Sequence, residues 1–374
     1  MRIAINTRFL LSDKMEGFGW YTYEVCSRMV KAHPEHEFIF FFDRSFDEKF
    51  VFADNVTPVV LRPPARHPIL FKIWFNRSVT KALKKHNADV FFSPDGFLSL
   101  KTDVPQIGTI HDINFEHHPE DLPSGALKYL KKYFPQFARK AAHLLTVSNY
   151  SKQDIVNTYG IDEDKITVAW NGASEAYRPI PEDDQQIVRD AYTKGKKYLL
   201  FVGSIHPRKN LNRLLKAYDK LLEKSIEEYE LLIVGSAMWK NSGELEISDR
   251  CKNHVHFSGH LSLEDLSKAM ASASVFCFVP YFEGFGIPLV EAMQSGTPIL
   301  SGDRTSLPEV AGDAALYCNP FSANDISEKL KQLLLDTKLQ ESLHQKGLER
   351  SKEFSWDRSS EIAWQVIQQT LNRK

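Results

Sequence analysis

Short apolar runs rich in β-branched and aromatic residues alternate along this chain with longer stretches of helical periodicity. The runs fall at residues 2–6, 37–42, 56–61, 90–93, 106–110, 144–147, 165–169, 198–202, 230–234, 255–258, 275–279 and 298–301. Most are apolar on successive residues, which suits parallel strands buried on both faces better than half-exposed antiparallel ones. Helical patterns lie between many of them, at 21–32, 69–86, 129–142, 151–158, 210–224, 263–271, 289–295 and 325–336. Strands and helices in alternation predict an α/β, doubly wound architecture.

A length of 374 residues exceeds what one core ordinarily serves, so two domains are expected. The series restarts at Tyr198-Leu-Leu-Phe-Val-Gly203. Ahead of it lies Tyr177-Arg-Pro-Ile-Pro-Glu-Asp-Asp184, whose prolines and acidic run read as a linker. The expected division is 1–178, 179–355, and a last amphipathic helix at 356–374 that packs back on the N-terminal domain. Ligands of such domains bind at the carboxyl ends of parallel strands, so chemistry is sought there.

Charge is balanced, with 47 Lys and Arg against 48 Asp and Glu, which argues against a nucleic-acid binder. No apolar run is long enough to span a membrane, and the chain opens on its first strand without a secretory leader pattern. Cys26, Cys251, Cys277 and Cys318 lie far apart, as expected for reduced, buried thiols in a cytoplasmic protein.

Four segments can carry chemistry. The first is Glu283-Gly-Phe-Gly-Ile-Pro-Leu-Val-Glu291, directly after an apolar run. Gly284 and Gly286 permit close backbone approach to a ligand, and Pro288 suits the first turn of a helix whose N-terminus attracts anions. Carboxylates repel phosphate, so Glu283 and Glu291 suit hydroxyl groups, in which sugars are rich. The second is Gly203-Ser-Ile-His-Pro-Arg208-Lys209-Asn210, with two cations beside a helix start and Asn210 as the expected N-cap. The third is the loop Asp13-Lys-Met-Glu-Gly17-Phe18-Gly19-Trp20 after the first strand. The fourth is Ile110-His111-Asp112 at a strand end. His117-His118 has no further ligands nearby, and no clustered Cys/His set exists, so no metal site is expected.

The spacing of the two glutamates, with the surrounding Phe278-Val-Pro-Tyr-Phe-Glu-Gly-Phe-Gly-Ile-Pro-Leu-Val-Glu-Ala-Met and Gly296-Thr-Pro, resembles the retaining glycosyltransferases of family 4. The resemblance implies the GT-B fold, two Rossmann-like domains facing a central cleft. It implies that Glu283 contacts hydroxyls of a donor sugar and Glu291 the ribose hydroxyls of a nucleotide-diphosphate sugar. Backbone of Gly284, Phe285, Gly286 and Ile287 would hold sugar hydroxyls or phosphate. Arg208 and Lys209 would clamp the diphosphate. Ser204 stands where many members carry Arg, a cation that Arg208 can supply. Gly17, Phe18 and Gly19 would approach the donor phosphate and form part of the acceptor side. His111 would reach the donor sugar, Asp112 would orient it or meet the acceptor, and backbone of Phe257 would contact the base.

The activity so implied moves a hexose to a glycan or polyprenyl-linked acceptor, with no covalent nucleophile, no cofactor and no metal. The Thr-Ile-His-Asp-Ile-Asn stretch at 109–114 is most like mannosyltransferases, which makes GDP-mannose the leading donor and leaves UDP-linked hexoses open. A nucleotide-sugar hydrolase or phosphorylase on the same fold, or a silent sugar-nucleotide-binding subunit, stays open too. One local feature departs from the neutral total. Residues 55–88 hold no Asp or Glu but carry Arg62, Arg66, Lys72, Arg77, Lys81, Lys84 and Lys85, interleaved with Phe71, Trp74 and Phe75. This pattern fits either a peripheral contact with an anionic inner leaflet or a solvated face over core-packing aromatics.

Overall fold

The computed structural model describes residues 1–12, 15–224, 228–235 and 245–372. They form two compact units, Met1–Asn171 with Ser355–Lys374, and Gly172–Phe354. The first holds strands β1 (Arg2–Asn6), β2 (Glu37–Phe42), β3 (Val56–Val60), β4 (Val90–Ser93), β5 (Gln106–Thr109), β6 (His143–Thr146) and β7 (Ile166–Val168). They pair in the order β3-β2-β1-β4-β5-β6-β7, parallel throughout. The second holds β8 (Lys197–Val202), β9 (Tyr229–Val234), β10 (Val255–Gly259), β11 (Val275–Phe278), β12 (Ile299–Gly302) and β13 (Ala315–Cys318), also parallel, in the order β10-β9-β8-β11-β12-β13. Burial of nearly every residue of β2, β4, β8 and β9 explains their unbroken apolar runs.

Each sheet has one switch point where the strand order reverses, between β1 and β4 in the first unit and between β8 and β11 in the second. The loops leaving these four strands diverge and leave a crevice for a ligand. Separate cores support the two sheets. Trp74, Phe75, Phe91, Phe97, Phe134 and Phe137 belong to the first, and Phe201, Leu214, Tyr218, Leu231, Ile233 and Leu330 to the second. The last helix, Trp356–Asn372, completes the first unit. Ser360 Oγ donates to the Val25 carbonyl at 2.9 Å, and the Trp364 ring stacks on His33 at 3.8 Å.

Several segments depart from the sequence expectation. The acidic residues 182–184 open a helix, Glu182–Thr193, because carboxylates at a helix N-terminus complement its dipole. The continuous helix expected at 69–86 is three pieces, Pro68–Ile73, a π-helical turn Trp74–Val79, and Thr80–Lys85. Trp74 and Phe75 are buried and Phe71 packs against the same core, so these aromatics form no outward face, while all seven basic residues of the segment are exposed. Gly17, Phe18 and Gly19 are not loop residues but the first turn of the helix Gly17–Ala32; Asp13 and Lys14 lie outside the described residues.

Strand β13 has only four residues, too short to show a period. The helix Thr337–Ser351 buries only Leu343, Gly347 and Ser351, too thin a stripe to read as amphipathic. All four cysteines are free and buried, and burial pushes their thiols up. Among the described residues, no helix is long and apolar enough to cross a membrane.

Candidate active site

The second unit brings Arg208, Lys209 and Glu283 together at the β8/β11 switch point. Strand β8 is followed by Gly203, whose φ of 149° few side-chain-bearing residues adopt. A Cβ on the neighbouring Gly235 would stand 2.0 Å from the Gly203 carbonyl oxygen, so the chain leaving β9 can lie this close only with glycine at 235. The chain then makes a short turn, Pro207–Lys209, capped by the His206 ring accepting from Arg208 N–H at 3.3 Å.

Asn210 follows in the left-handed region and does not act as a side-chain N-cap for the helix Leu211–Glu223. Its amide instead donates across the strand ends to the carbonyls of Val279 (2.9 Å) and Pro320 (2.6 Å). The Arg208 carbonyl accepts from Tyr281 N–H at 3.1 Å, and Arg208 Nη1 donates to the Phe282 carbonyl at 3.2 Å. These bonds fix the two cations against the loop that leaves β11.

Glu283 sits in that loop, 7% exposed. Its Oε1 lies 2.7 Å from Arg208 Nη1 and 2.6 Å from Lys209 Nζ. Burial pushes the Glu283 carboxyl up, but the two cations outweigh burial and hold it below the usual range. One carboxylate thus preorganises two cations at a strand end. Gly286, at φ 97°, turns the chain into the helix Ile287–Gln294, with Pro288 in its first turn. A Cβ on Gly286 would approach Leu307 Cδ2 at 3.1 Å and Phe278 Cε1 at 3.3 Å.

Glu291 lies one turn inside that helix and hydrogen-bonds the Tyr177 hydroxyl. Burial raises its carboxyl to about 7, while Tyr177 and the Lys209 charge act against the rise. The side chain of Phe285 is buried, which leaves its backbone as its means of ligand contact. Phe257 is 48% exposed on the edge strand β10, and Ser204 is half-buried beside Gly203.

Sequence reasoning missed the residues that hold this loop. Thr305 Oγ1 accepts from Glu283 N–H at 3.2 Å, and Ser306 Oγ reaches the carbonyls of Glu283 (2.9 Å) and Phe285 (3.1 Å). Thr305 has φ 57°, a costly conformation for a β-branched residue. The one available signal was position, since both residues follow β12 at its carboxyl end. Tyr177 was read only as part of a linker.

In the first unit, His111 follows β5 and Nε2 bonds the Pro94 carbonyl at 2.8 Å. Its ring meets Phe18 edge-on at 4.9 Å and Tyr21 at 4.6 Å, so the first turn of the helix Gly17–Ala32 packs directly on the imidazole. Burial pushes the His111 pKa down, against the Pro94 bond and the charges of Asp112 and Asp95. Asp112 Oδ1 accepts from Asn114 N–H at 3.1 Å and so shapes the turn after β5. Gly17 has open space where a side chain would stand, whereas a Cβ on Gly19 would meet the Phe9 carbonyl at 2.6 Å. Among the described residues, no group of three or more His, Cys, Asp or Glu side chains is placed to hold a metal ion.

Comparison with known proteins matches each unit to its own glycosyltransferase model. Residues 15–176 match the model of Glycosyltransferase Family 4, and residues 183–350 that of Glycosyl transferases group 1. The chain is 28% identical over 356 residues to O-antigen chain mannosyltransferase B of Escherichia coli, covering 92% of this chain and 93% of that one. It is 29% identical over 231 residues to an O-antigen chain mannosyltransferase of Salmonella typhimurium, 60% of each protein. Its fold is similar to that of sucrose-phosphate synthase from Thermosynechococcus elongatus, with a TM-score of 0.79 at 17% identity over all of both chains. With two parallel-sheet units, each matched by a glycosyltransferase model, the chain is a glycosyltransferase of GT-B architecture.

Proposed function

We propose that this glycosyltransferase moves mannose from GDP-mannose, with retention of anomeric configuration, to a glycan or polyprenyl-linked acceptor. The observation that carries the reading is the Arg208–Glu283–Lys209 cluster at the β8/β11 switch point. Glycosyl transfer must stabilise a departing diphosphate and a sugar carrying developing positive charge. Two cations held in place before the donor arrives meet the first demand without reorganisation, the largest contribution in most such catalysis. Because Arg208 and Lys209 supply that charge, the proposed reaction uses no metal and no cofactor.

The carboxylate of Glu283 accepts hydrogen bonds from hydroxyls of the sugar. Glu291 accepts from the ribose hydroxyls, while backbone around Gly284, Gly286 and Ile287 approaches the sugar and phosphate. Phe257 and Ser204 border the nucleotide. From the first unit, His111 contacts the sugar, and Gly17, Phe18, Gly19 and Asp112 serve the donor phosphate and the acceptor. The departing phosphate oxygen takes the proton of the acceptor hydroxyl, which attacks on the face the leaving group vacates. The C–O bond to phosphate breaks as the new glycosidic bond forms, and the configuration is kept. The choice of mannose is supported by the E. coli and Salmonella relatives, which are mannosyltransferases.

The proposal places the chain in the cytoplasm, with a peripheral contact to an anionic inner leaflet through the seven exposed cations of residues 55–88. Trp74 and Phe75 are buried, so the contact rests on these charges, with Ile69 the main exposed apolar side chain beside them. Retention on vesicles containing anionic lipid, lost at high salt, is the expected result.

A panel of GDP, UDP and ADP sugars, read by thermal shift and by product formation on a membrane lipid extract, tests the donor and the transfer together. GDP-mannose should give the largest stabilisation, since a ligand that binds only the folded state raises stability by mass action. Stabilisation by UDP sugars alone would overturn the choice of donor. Nucleotide release without a new glycoside would overturn transfer to this acceptor class.

A further inference from the structure

The end of β1 carries a cation that the proposed reaction does not use. Arg8 is 4% exposed and Asp95, after β4, is 3% exposed. Arg8 Nε lies 2.7 Å from Asp95 Oδ2. The guanidinium faces four rings, with centroids at 4.4 Å (Phe97), 4.6 Å (Phe9), 5.1 Å (Phe71) and 5.3 Å (Phe75). Asp95 Oδ1 accepts from Ser93 Oγ at 3.0 Å and Phe97 N–H at 3.1 Å, and Ser93 Oγ in turn accepts from Asn6 Nδ2 at 3.0 Å. Gly96, at φ 79°, closes the turn by donating its N–H to the Ser93 carbonyl at 3.1 Å.

Pro94 stands inside this turn, flanked by Ser93 and Asp95, and its carbonyl is the partner of His111 Nε2. A carbonyl only accepts, so Nε2 must carry the proton in this bond. In a neutral imidazole, that leaves the other nitrogen, Nδ1, with a lone pair. We infer that Arg8 and Asp95 are positioning residues for glycosyl transfer. Their buried pair locks the Ser93–Gly96 turn, the turn holds the Pro94 carbonyl on His111, and His111 is thereby kept in the tautomer whose Nδ1 accepts a hydrogen bond from a sugar hydroxyl. The inference rests on the proposed contact between His111 and the sugar. Arg8 and Asp95 themselves touch no substrate, and the rings around Arg8 keep it from acting as a second phosphate ligand.

The test uses the full chain labelled with nitrogen-15 histidine, with His111→Gln to assign the signal. Long-range proton–nitrogen spectra of the unsubstituted protein should show His111 protonated at Nε2; protonation at Nδ1 overturns the inference without any variant. Asp95→Asn should mix the tautomers and lower kcat by about 10- to 100-fold, as expected for a misplaced reacting group, with donor KM little changed. Asp95→Asn also leaves Arg8 unpaired, which threatens folding. Arg8→Met with Asp95→Asn removes both charges at once, and such replacements often leave stability intact. In that folded double variant, an unchanged tautomer with unchanged kcat overturns the inference. A mixed tautomer with unchanged kcat instead removes His111 from the chemistry, and with it the reading on which the inference stands.

Discussion

The two switch points put the same kind of residue in the same topological place and use it oppositely. At the β8/β11 ends, Arg208 and Lys209 converge on Glu283 among glycines that bare the backbone, 203, 235 and 286. At the β1/β4 ends, Arg8 is enclosed by four aromatic rings and neutralised by Asp95. Parallel-sheet topology makes a crevice in both units. What fills it decides whether a cation meets a ligand or holds a wall. Four phenylalanine rings surround the cation in the first unit, whereas in the second, glycines stand beside the two cations and the Phe278 ring faces Lys209. A ligand site therefore cannot be assigned from strand order alone.

The largest expected effect tests the enclosed cation. Arg8→Met, with Asp95 kept, should cost about 3–5 kcal/mol in urea unfolding, because it leaves a buried carboxylate unpaired. A loss under about 1 kcal/mol would mean the first pair is as ligand-ready as the second, and the contrast would collapse. Next, Glu283→Gln, or Arg208→Ala with Lys209→Ala, should lower kcat by about 10²–10³, the scale for losing preorganised electrostatic stabilisation. The double variant also leaves the buried Glu283 carboxylate without its two cations and should lose stability as well, whereas Glu283→Gln leaves no buried carboxylate. Steady-state kinetics beside thermal melts separate the two effects.

Smaller again is Gly286→Ala. A φ of 97° and a Cβ 3.1 Å from Leu307 Cδ2 predict a loss of about 1–3 kcal/mol, read as a lower melting temperature. Substitution at Gly17, which has room, should be silent in the same melt.

The last effect concerns pH, and its binding arm is the smallest of the four. Burial raises the Glu291 carboxyl to about 7 from its usual 4.5. A raised folded-state pKa contributes stability that is fully present below the ordinary carboxyl range. That contribution is lost as pH rises from the ordinary value to about 7, and is constant above it. On the proposed contact of Glu291 with ribose, whose hydroxyls prefer the ionised form as acceptor, GDP affinity should change in the opposite sense, rising up to about tenfold between pH 6 and 8. Glu291→Gln should flatten both profiles in calorimetric titration, and Tyr177→Phe should move them to higher pH.

The doubly wound plan was readable because buried parallel strands need consecutive apolar residues, as in Phe38–Phe42 and Leu199–Val202. The Glu283–Glu291 segment was readable because glycines, a proline and two carboxylates crowd into nine positions beside a strand. The roles of Thr305 and Ser306 were not, because a hydroxyl that bonds a backbone N–H or carbonyl more than twenty residues away leaves no local pattern. Nor was the pairing of Arg8 with Asp95, which sequence separates by 87 positions and the β1–β4 pairing brings together. Asn210 misled for a related reason. Asn before a helix usually caps it, but here the packing of three strand ends claims its side chain.

That side chain has a consequence for how the enzyme can be silenced. The Asn210 amide needs its nitrogen to face both carbonyls, and aspartate has the same shape with an oxygen in that place. Exchanging one atom group turns two attractions into two repulsions under the turn that carries Arg208 and Lys209. An inactive allele can thus arise at a residue that meets neither sugar nor nucleotide, and a survey of substrate contacts alone would score it as harmless.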